Sequence, residues 1–438
     1  MGLACAVAVL ALGACAAAPP MALHASDLPV FEFETGGVRI PDEPKVPVRL
    51  RVVERGYRSG EPAVGYHGWA GVERRGQSSQ SRYPKPQLGL ELRDDDGDNR
   101  RVGLLGLPSD DDWVLHGPYG DKSLVRNALA YHLAGQMGRY APRTRFTEVV
   151  LDGDYLGVYL LTERIEQGDD RVDIRTLKDD DRGPRSITGG YLFKIDKGDV
   201  GGWPSTIPGS NGRYPVYTPH DPKPEDLSRA QRLYLESTVA AFEETMAGPD
   251  WDDPDDGYAR HLDTATFVDV FLLTELARDV DGYRVSTYYH KEHIGDGGRI
   301  RAGPVWDFNI AFGNADYYGG DRADGWQVDL VPRSRDHPIP GWWPQLAHEA
   351  AFRSAAAARW ADLRRGPFHA DSLDATVDVL VGRLGDAPDR NFARWPVLGR
   401  RVWPNPFVGA THAEEVAYLR RWLRERAAWM DGALAAER

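Results

Sequence analysis

Apolar residues recur along this chain in two rhythms, and the rhythm changes near Pro224. Upstream the spacing is mostly two. Val30-Phe31-Glu32-Phe33 and Val48-Arg49-Leu50-Arg51-Val52 alternate between apolar and charged positions, which predicts strands with one face buried. The runs 70–80 and Leu88 to Leu92 predict two more strands around a polar turn of small residues. Phe146 to Leu151 and Tyr155 to Leu161, joined by Asp152-Gly153-Asp154, predict a hairpin, and Gly189 to Ile195 a further strand. One helix interrupts this half, from Ser123 as N-cap to Met137. The polar segments 169–185 and 201–224, rich in Gly, Pro and Asp, read as loops.

Downstream the spacing becomes helical. Leu235, Val239, Phe242 and Met246 share one face, and Asp263 stands where it would cap a helix carrying Phe267, Val270, Phe271 and Leu273. Pro344 to Arg365 and Ala370 to Leu384 also read as helices. Thr411-His412-Ala413-Glu414 has the form of a capping box ahead of Val416, Leu419, Leu423 and Met430. Strands first and helices second make an α+β pattern.

The stretch from Asp279 to Asn314 carries the densest candidate chemistry. Thr287 to His290 and Arg299 to Val305 predict a hairpin about the turn Gly295-Asp296-Gly297-Gly298. Such a hairpin brings Asp281 and Asp307, which flank it, close together in space. Paired carboxylates repel, and sites of this kind hold a metal or share a proton. Asp307 lies between Trp306 and Phe308, an apolar frame in which a carboxylate needs a partner. His290-Lys291-Glu292-His293 has a spacing that would ligate metal only on a helix, and it falls on a predicted strand and turn. Trp342-Trp343 is read as anchoring the helix that follows.

Composition narrows the classes. Hydrophobic residues at 42% and charged residues at 27% fit a folded chain, and 438 residues suffice for a substantial core. The net charge of −13 repels nucleic acid, and no dense basic run offsets it. Asp94 to Asp98 is acidic but lacks the ligand spacing of a calcium loop, so it reads as a solvated turn. Residues 1–20 are apolar, too short to span a bilayer, and end in small residues and proline, as in an export signal. Leu12-Gly13-Ala14-Cys15 resembles a bacterial lipobox, which would put a lipid anchor on Cys15. A secretory signal cleaved near Ala18 is the other reading. Cys5 and Cys15 are the chain's two cysteines, so the segment beyond them offers no disulfide and no thiolate metal site.

The order of predicted elements resembles that of a protein kinase. Strands flank a small-residue turn, Lys85 follows, and a helix and a hairpin precede the two aspartates. Longer motifs are more specific. Arg75-Gly76-Gln77-Ser78-Ser79-Gln80, Pro84-Lys85, Asp121-Lys122-Ser123-Leu124-Val125-Arg126-Asn127, Leu156-Gly157-Val158-Tyr159-Leu160, Gly189-Gly190-Tyr191 and Trp306-Asp307-Phe308-Asn309-Ile310-Ala311-Phe312-Gly313 together resemble the spore-coat protein H (CotH) kinase family, in order from about residue 30 to 365.

That resemblance implies a divergent protein-kinase-like, two-lobed fold. A signal segment 1–15 and a linker 16–29 would precede a strand-rich, nucleotide-binding N-lobe at 30–165 and a helical, catalytic C-lobe at 166–438. It implies transfer of the ATP γ-phosphate to protein Ser or Thr with Mg²⁺ or Mn²⁺. By position, Asp307 matches the metal-binding acid and Asp281 the other essential acid, with Asn309 as a further oxygen ligand. Ser286 stands where the kinase template has a metal-binding Asn. Lys85 matches the lysine on the α- and β-phosphates, Arg75, Ser78 and Ser79 the turn over the phosphates, and Arg126 a second basic contact. Glu163 would partner the lysine or sit in the segment that holds adenine. Two other readings stay open: a surface protein of this family that binds without catalysis, and a kinase of an envelope saccharide. The implied location is an exported lipoprotein of the cell envelope.

Overall fold

The computed structural model describes residues 20–58, 61–178, 180–198 and 200–435. The signal segment, the lipobox and both cysteines lie outside the described residues.

The strands read in the first half form as β1 (Val30–Glu34), β2 (Val46–Arg55), β3 (Ala63–Arg75), β4 (Gln87–Arg93), β6 (Thr144–Leu151) and β7 (Asp154–Glu163), and a strand the pattern did not predict, β5 (Asp112–His116), joins them. They form a closed barrel in the order β1-β2-β3-β4-β5-β7-β6. Six pairings are antiparallel, and the seam between β1 and β6 is parallel, with Val30 opposite Glu148 and Phe33 opposite Leu151. Period two puts Phe31, Phe33, Val48, Leu50, Val52, Leu88, Leu90 and Leu92 into one buried cluster while the charged residues between them face outward. Closure leaves no free sheet edge except where strands differ in length.

One such place is on β7. Strand β5 ends opposite Leu160, so residues 154–158 of β7 have no strand on that side. Side chains from far along the chain satisfy the exposed backbone. Lys85 Nζ donates to Val158 O at 2.5 Å, Asn391 Oδ1 accepts from Val158 N at 3.1 Å, Trp395 Nε1 donates to Leu156 O at 2.9 Å and Arg394 Nε to Tyr155 O at 2.9 Å. Gly157 sits in the middle with φ +98°, and a Cβ there would come within 2.5 Å of Asn391 Oδ1.

The rest of the chain carries α1 (Gln77–Arg82) and α2 (Arg126–Gln136) between barrel strands. After the barrel come β8 (Tyr191–Ile195), β9 (Trp203–Pro204), β10 (Val216–Asp221), α3 (Arg229–Ala247), α4 (Thr264–Ala277), β11 (Thr287–Lys291), β12 (Ile300–Ala302), α5 (Trp342–Ala347), α6 (Ala350–Arg364), α7 (Ala370–Gly382), α8 (Ala387–Arg394) and α9 (His412–Ala435). Strands β12-β11-β8-β10-β9 form a second sheet. Helix α4 is buried nearly all round, as its continuous apolar sequence requires, and packs against α2, α6, α9 and β12. Its last turn carries Glu275, fully buried, which accepts from Gln327 N, Val328 N, Tyr283 Oη and Arg426 Nη2 at 2.7 to 3.0 Å.

This architecture corrects the expectation of a kinase-like fold with a strand-rich lobe and a helical lobe. The first half closes into a seven-stranded barrel, because the parallel β1–β6 seam joins what would otherwise be the two edges of an open sheet. The second half contains a sheet of its own. Local readings change too. The Arg75–Gln80 turn is largely the short helix α1. Segment 201–224, read as a loop, contributes β9 and β10. The predicted strand Arg299–Val305 shortens to β12, because Gly303 turns away at φ +101° and Pro304 has no N–H for a ladder. Trp342 and Trp343 are buried and donate to Tyr217 and Tyr289.

Replacing Asn391 with Ala is expected to remove the acceptor for Val158 N and one of two for Lys85 Nζ. Urea unfolding should show a loss on the order of 2–3 kcal/mol, the cost of leaving buried donors unpaired. A change below about 0.5 kcal/mol would mean that the β7 edge is not held this way.

Candidate functional site

A cleft of about 750 Å³ opens between the barrel and the second sheet. Strand β3 ends at Arg75, and α1 places Ser78 and Ser79 on the barrel side. The end of β8 brings Asp196 and Lys197 from the other side. The loop after α4 brings Asp281, Arg284 and Ser286, and the segment after β12 brings Trp306, Asp307 and Asn309.

Backbone at the cleft, at Ser286 and Asp307, and in the segments behind it is held in an unfavourable region. Arg278, Tyr283, Ser286, Asp307 and Phe312 all have φ between +43° and +67° without being glycine. Left-handed backbone at such residues is costly and persists where surrounding bonds fix it, as it does at functional sites. The bonds here are visible. Arg278 Nε donates to Gly319 O at 2.6 Å, Tyr283 Oη to Glu275, and Asp307 N to Tyr131 Oη at 3.2 Å. Arg126 donates to the carbonyls of Ala311 and Phe312, which fixes the segment just past Asp307.

The two aspartates are in different electrostatic states. Asp281 is buried and saturated: Oδ1 accepts from Arg284 Nη2 at 2.6 Å and Oδ2 from Lys197 Nζ at 3.3 Å. The carboxyl of Asp307 has no hydrogen bond among the described residues. Burial pushes it up to about 6, Lys197 and Arg75 pull it down, and Asp281 and Asp196 raise it. Burial alone would lower Lys197, but Asp281 and Asp307 outweigh it and hold the ammonium charged. Arg75 has no ion pair among the described residues, rests over the Trp306 ring at 5.8 Å and lines the cleft. Overall seven Lys and Arg side chains line the cleft against five Asp, in a chain of net charge −13. That inversion favours an anionic ligand.

Residues 72–430 match the family described as CotH kinase protein. The chain belongs to the CotH kinase family. It is thus a kinase-like protein, and phosphotransferase chemistry is the activity this membership suggests. No curated protein matches it. Among solved structures it is similar to the proinflammatory kinase CtkA of Helicobacter pylori, at 10% identity over 77% of this chain and 94% of that one, with a TM-score of 0.29.

In this CotH-family chain the cleft gathers Asp281, Asp307, Asn309, Ser286, Arg75, Ser78 and Ser79. The other three residues expected at the nucleotide lie elsewhere. Lys85 is buried against the β7 edge, between Val158 O and Asn391 Oδ1, and burial pushes its ammonium well below the usual lysine range. Arg126 is paired with Asp121 at 2.6 Å inside the fold. Glu163 is fully buried between Arg143, Arg171 and Tyr140. Each of the three satisfies a buried partner, and none lines the cleft.

Sequence reasoning missed Asp196, Lys197 and Arg284. A signal existed: Lys194-Ile195-Asp196-Lys197 is a charged cluster directly after an apolar strand, and Arg284 follows Asp281 at the spacing of one helical turn. Missed as well was the polar wall of Gln87, His116, Asn127 and Thr162. Burial holds His116 down to about 4, so that wall is uncharged at neutral pH.

The residues present fit a nucleotide and one divalent cation in specific respects. Asn127 Oδ1 and Ser79 Oγ are buried polar atoms without partners, and both residues line the cleft. Asp307 and Asn309 offer oxygens not already engaged. No group of three or more His, Asp or Glu side chains forms a metal cluster among the described residues. A closed protein cage is therefore absent there, whereas Mg²⁺ needs only one or two carboxylates beside substrate phosphates and water.

The raised carboxyl of Asp307 makes a stability prediction. A group whose folded pKa lies above its unfolded value contributes fully below the unfolded pKa, and that contribution is lost as pH rises through the folded pKa. Asp307→Asn should therefore be more stable than the parent above pH 6, by on the order of 3 kcal/mol, and the gap should close toward pH 4. Thermal unfolding of both proteins from pH 4 to 8, without divalent cations, reads this directly. A gap that does not change with pH would show Asp307 to be unperturbed.

Proposed function

We propose that this protein is an exported phosphotransferase that moves the γ-phosphate of ATP to Ser or Thr hydroxyls of a protein acceptor, with Mg²⁺ or Mn²⁺. One observation carries the reading. A single cleft holds, among the described residues, an unengaged carboxyl at Asp307, a carboxylate bonded to one cation on each oxygen at Asp281, and an excess of positive charge in an acidic protein. Family membership supports the same chemistry.

The chain's residues divide the work. Asp307 and Asn309 would hold the metal ion, which would supply charge neutralisation for the phosphates when bound. Lys197 and Arg75 face the phosphoryl oxygens, in the role that the sequence assigned to Lys85. The uncharged wall of Gln87, His116 and Asn127 takes the nucleoside. Asp281 orients the acceptor hydroxyl and receives its proton as the bond from phosphorus to the ADP oxygen breaks and the bond to the acceptor oxygen forms. Two cations hold the Asp281 carboxylate in place. That suits a loose phosphoryl transition state, where positioning outweighs proton abstraction. An N-terminal export signal with a lipid on Cys15 would place the enzyme at the cell envelope.

Incubation of the purified protein with γ-labelled ATP and Mg²⁺ or Mn²⁺ tests the reading. Asp307→Ala and Asp281→Ala should each lower label transfer by about 10²-fold or more. Transfer that survives both substitutions would overturn the mechanism, and nucleotide binding without transfer would leave a binding protein.

Lys197→Met and Lys85→Met separate the two lysines. The first should lower kcat/KM for ATP by at least about tenfold with little change in Tm, and the second should lower Tm and leave KM for ATP within about twofold. The opposite pattern would return the phosphate contact to Lys85.

A further inference from the structure

The cleft has a second set of cations that the proposed transfer does not use. Arg333 and Arg335 lie on the long segment between β12 and α5 and line the cleft, and both are exposed. Neither guanidinium has an ion pair or hydrogen bond among the described residues. Their backbone, by contrast, is tied down. Asp336 N donates to Arg333 O at 2.9 Å, closing a turn. Arg213 Nη1 donates to the carbonyls of Arg335 and Asp336, Asn211 Nδ2 to those of Arg333 and Asp336, and Arg333 N to Tyr318 Oη at 3.0 Å. A fixed backbone thus presents two free cations, which is an arrangement built for an incoming anion rather than for internal stability.

Their position names the side. Arg284, the partner of Asp281, donates to His337 O at 3.4 Å, so this turn adjoins the aspartate placed at the acceptor. Arg75 acts on Asp307, and Lys197 stands between the two aspartates, ion-paired with Asp281 at 3.3 Å and also acting on Asp307. The aromatic rings at this end are already covered, Tyr318 by Arg284 at 5.4 Å and Trp403 by Arg82 at 3.9 Å with Tyr317 on stacked rings at 5.7 Å. With these rings partnered by the chain's own cations and aromatics, the two free guanidinium groups are the polar contacts left at this end, and they match the carboxylates of a peptide.

Resting on the phosphotransferase reading, we propose that the acceptor is an acidic peptide segment whose Asp or Glu side chains are bound by Arg333 and Arg335 while its hydroxyl reaches Asp281. Guanidinium groups match carboxylates in a two-pronged geometry that lysine lacks. The two arginines are specificity-determining and take no part in the bond changes at phosphorus.

The test uses the full protein with a fluorescein-labelled, Ser-containing peptide rich in Asp and Glu, a basic peptide of equal length, and polygalacturonate as an anionic saccharide. Anisotropy without nucleotide reads docking alone, and steady-state transfer reads catalysis. The double variant Arg333→Ala, Arg335→Ala should bind the acidic peptide at least about tenfold more weakly and raise its KM to match, with KM for ATP within about twofold. The double variant Arg333→Glu, Arg335→Glu should shift preference to the basic peptide. Unchanged peptide affinity in both variants would overturn the proposal. So would polygalacturonate binding through these arginines in place of the peptide, or a selective loss of ATP affinity, which would put them on the donor side. Peptide docking that depends on the arginines without any label transfer would sustain the docking site and sink the phosphotransferase reading.

Discussion

One buried carboxylate holds the working parts of this molecule in register. Glu275 closes the last turn of α4 and is fully buried. Its two oxygens accept from Tyr283 in the loop that carries Asp281, from the backbone of Gln327 and Val328 in the segment that leads to Arg333, and from Arg426 of α9. Burial raises its pKa, and Arg426 with the two backbone donors opposes that rise. A charge so placed is tolerated only because nearly every lone pair is used, and removing either partner would strand the other. The loop that carries Asp281 and the segment that leads to Arg333 therefore depend on a residue that does not line the cleft.

The fold was legible in the sequence where one periodicity acts alone. Alternation and apolar runs found six of the seven barrel strands but not β5, and spacing by three and four found α3, α4, α6, α7 and α9. What alternation does not encode is which edges meet. Nothing in Val30 to Glu34 or Thr144 to Leu151 announces that the two run parallel and close a barrel, and an open two-lobed arrangement follows as readily from the same strands. The segment 201–224 hid β9 and β10 because its glycines and prolines are the usual marks of a loop. Thr411 does accept from Glu414 N, but the Glu414 carboxylate turns to Ala410 N, so the expected capping box is only half formed.

Of the candidate site residues read from the sequence, seven line one cleft and three, Lys85, Arg126 and Glu163, lie outside it. Asp281, Asp307, Asn309, Ser286, Arg75, Ser78 and Ser79 share the cleft because the hairpin of β11 and β12 and the turn after β3 bring them there. Lys85, Arg126 and Glu163 were reasonable by residue type, yet each answers to a buried partner that only tertiary structure reveals. A lysine beside an unpaired strand edge and a lysine beside a phosphate look alike in sequence. Lys197 and Arg284 went unnoticed because their importance comes from what approaches them, Asp281 from both sides.

The uncovered edge of β7 has a consequence for the order of assembly. Its backbone groups at Tyr155, Leu156 and Val158 find partners in Asn391, Arg394 and Trp395, more than two hundred residues later. A barrel encoded in the first third of the chain is thus left with unsatisfied groups until nearly all of the chain has been made. Contacts of such sequence separation close late and slow the search for the native state. The nascent barrel is a half-finished surface that a chaperone would recognise, and the last fifth of the chain is its lock.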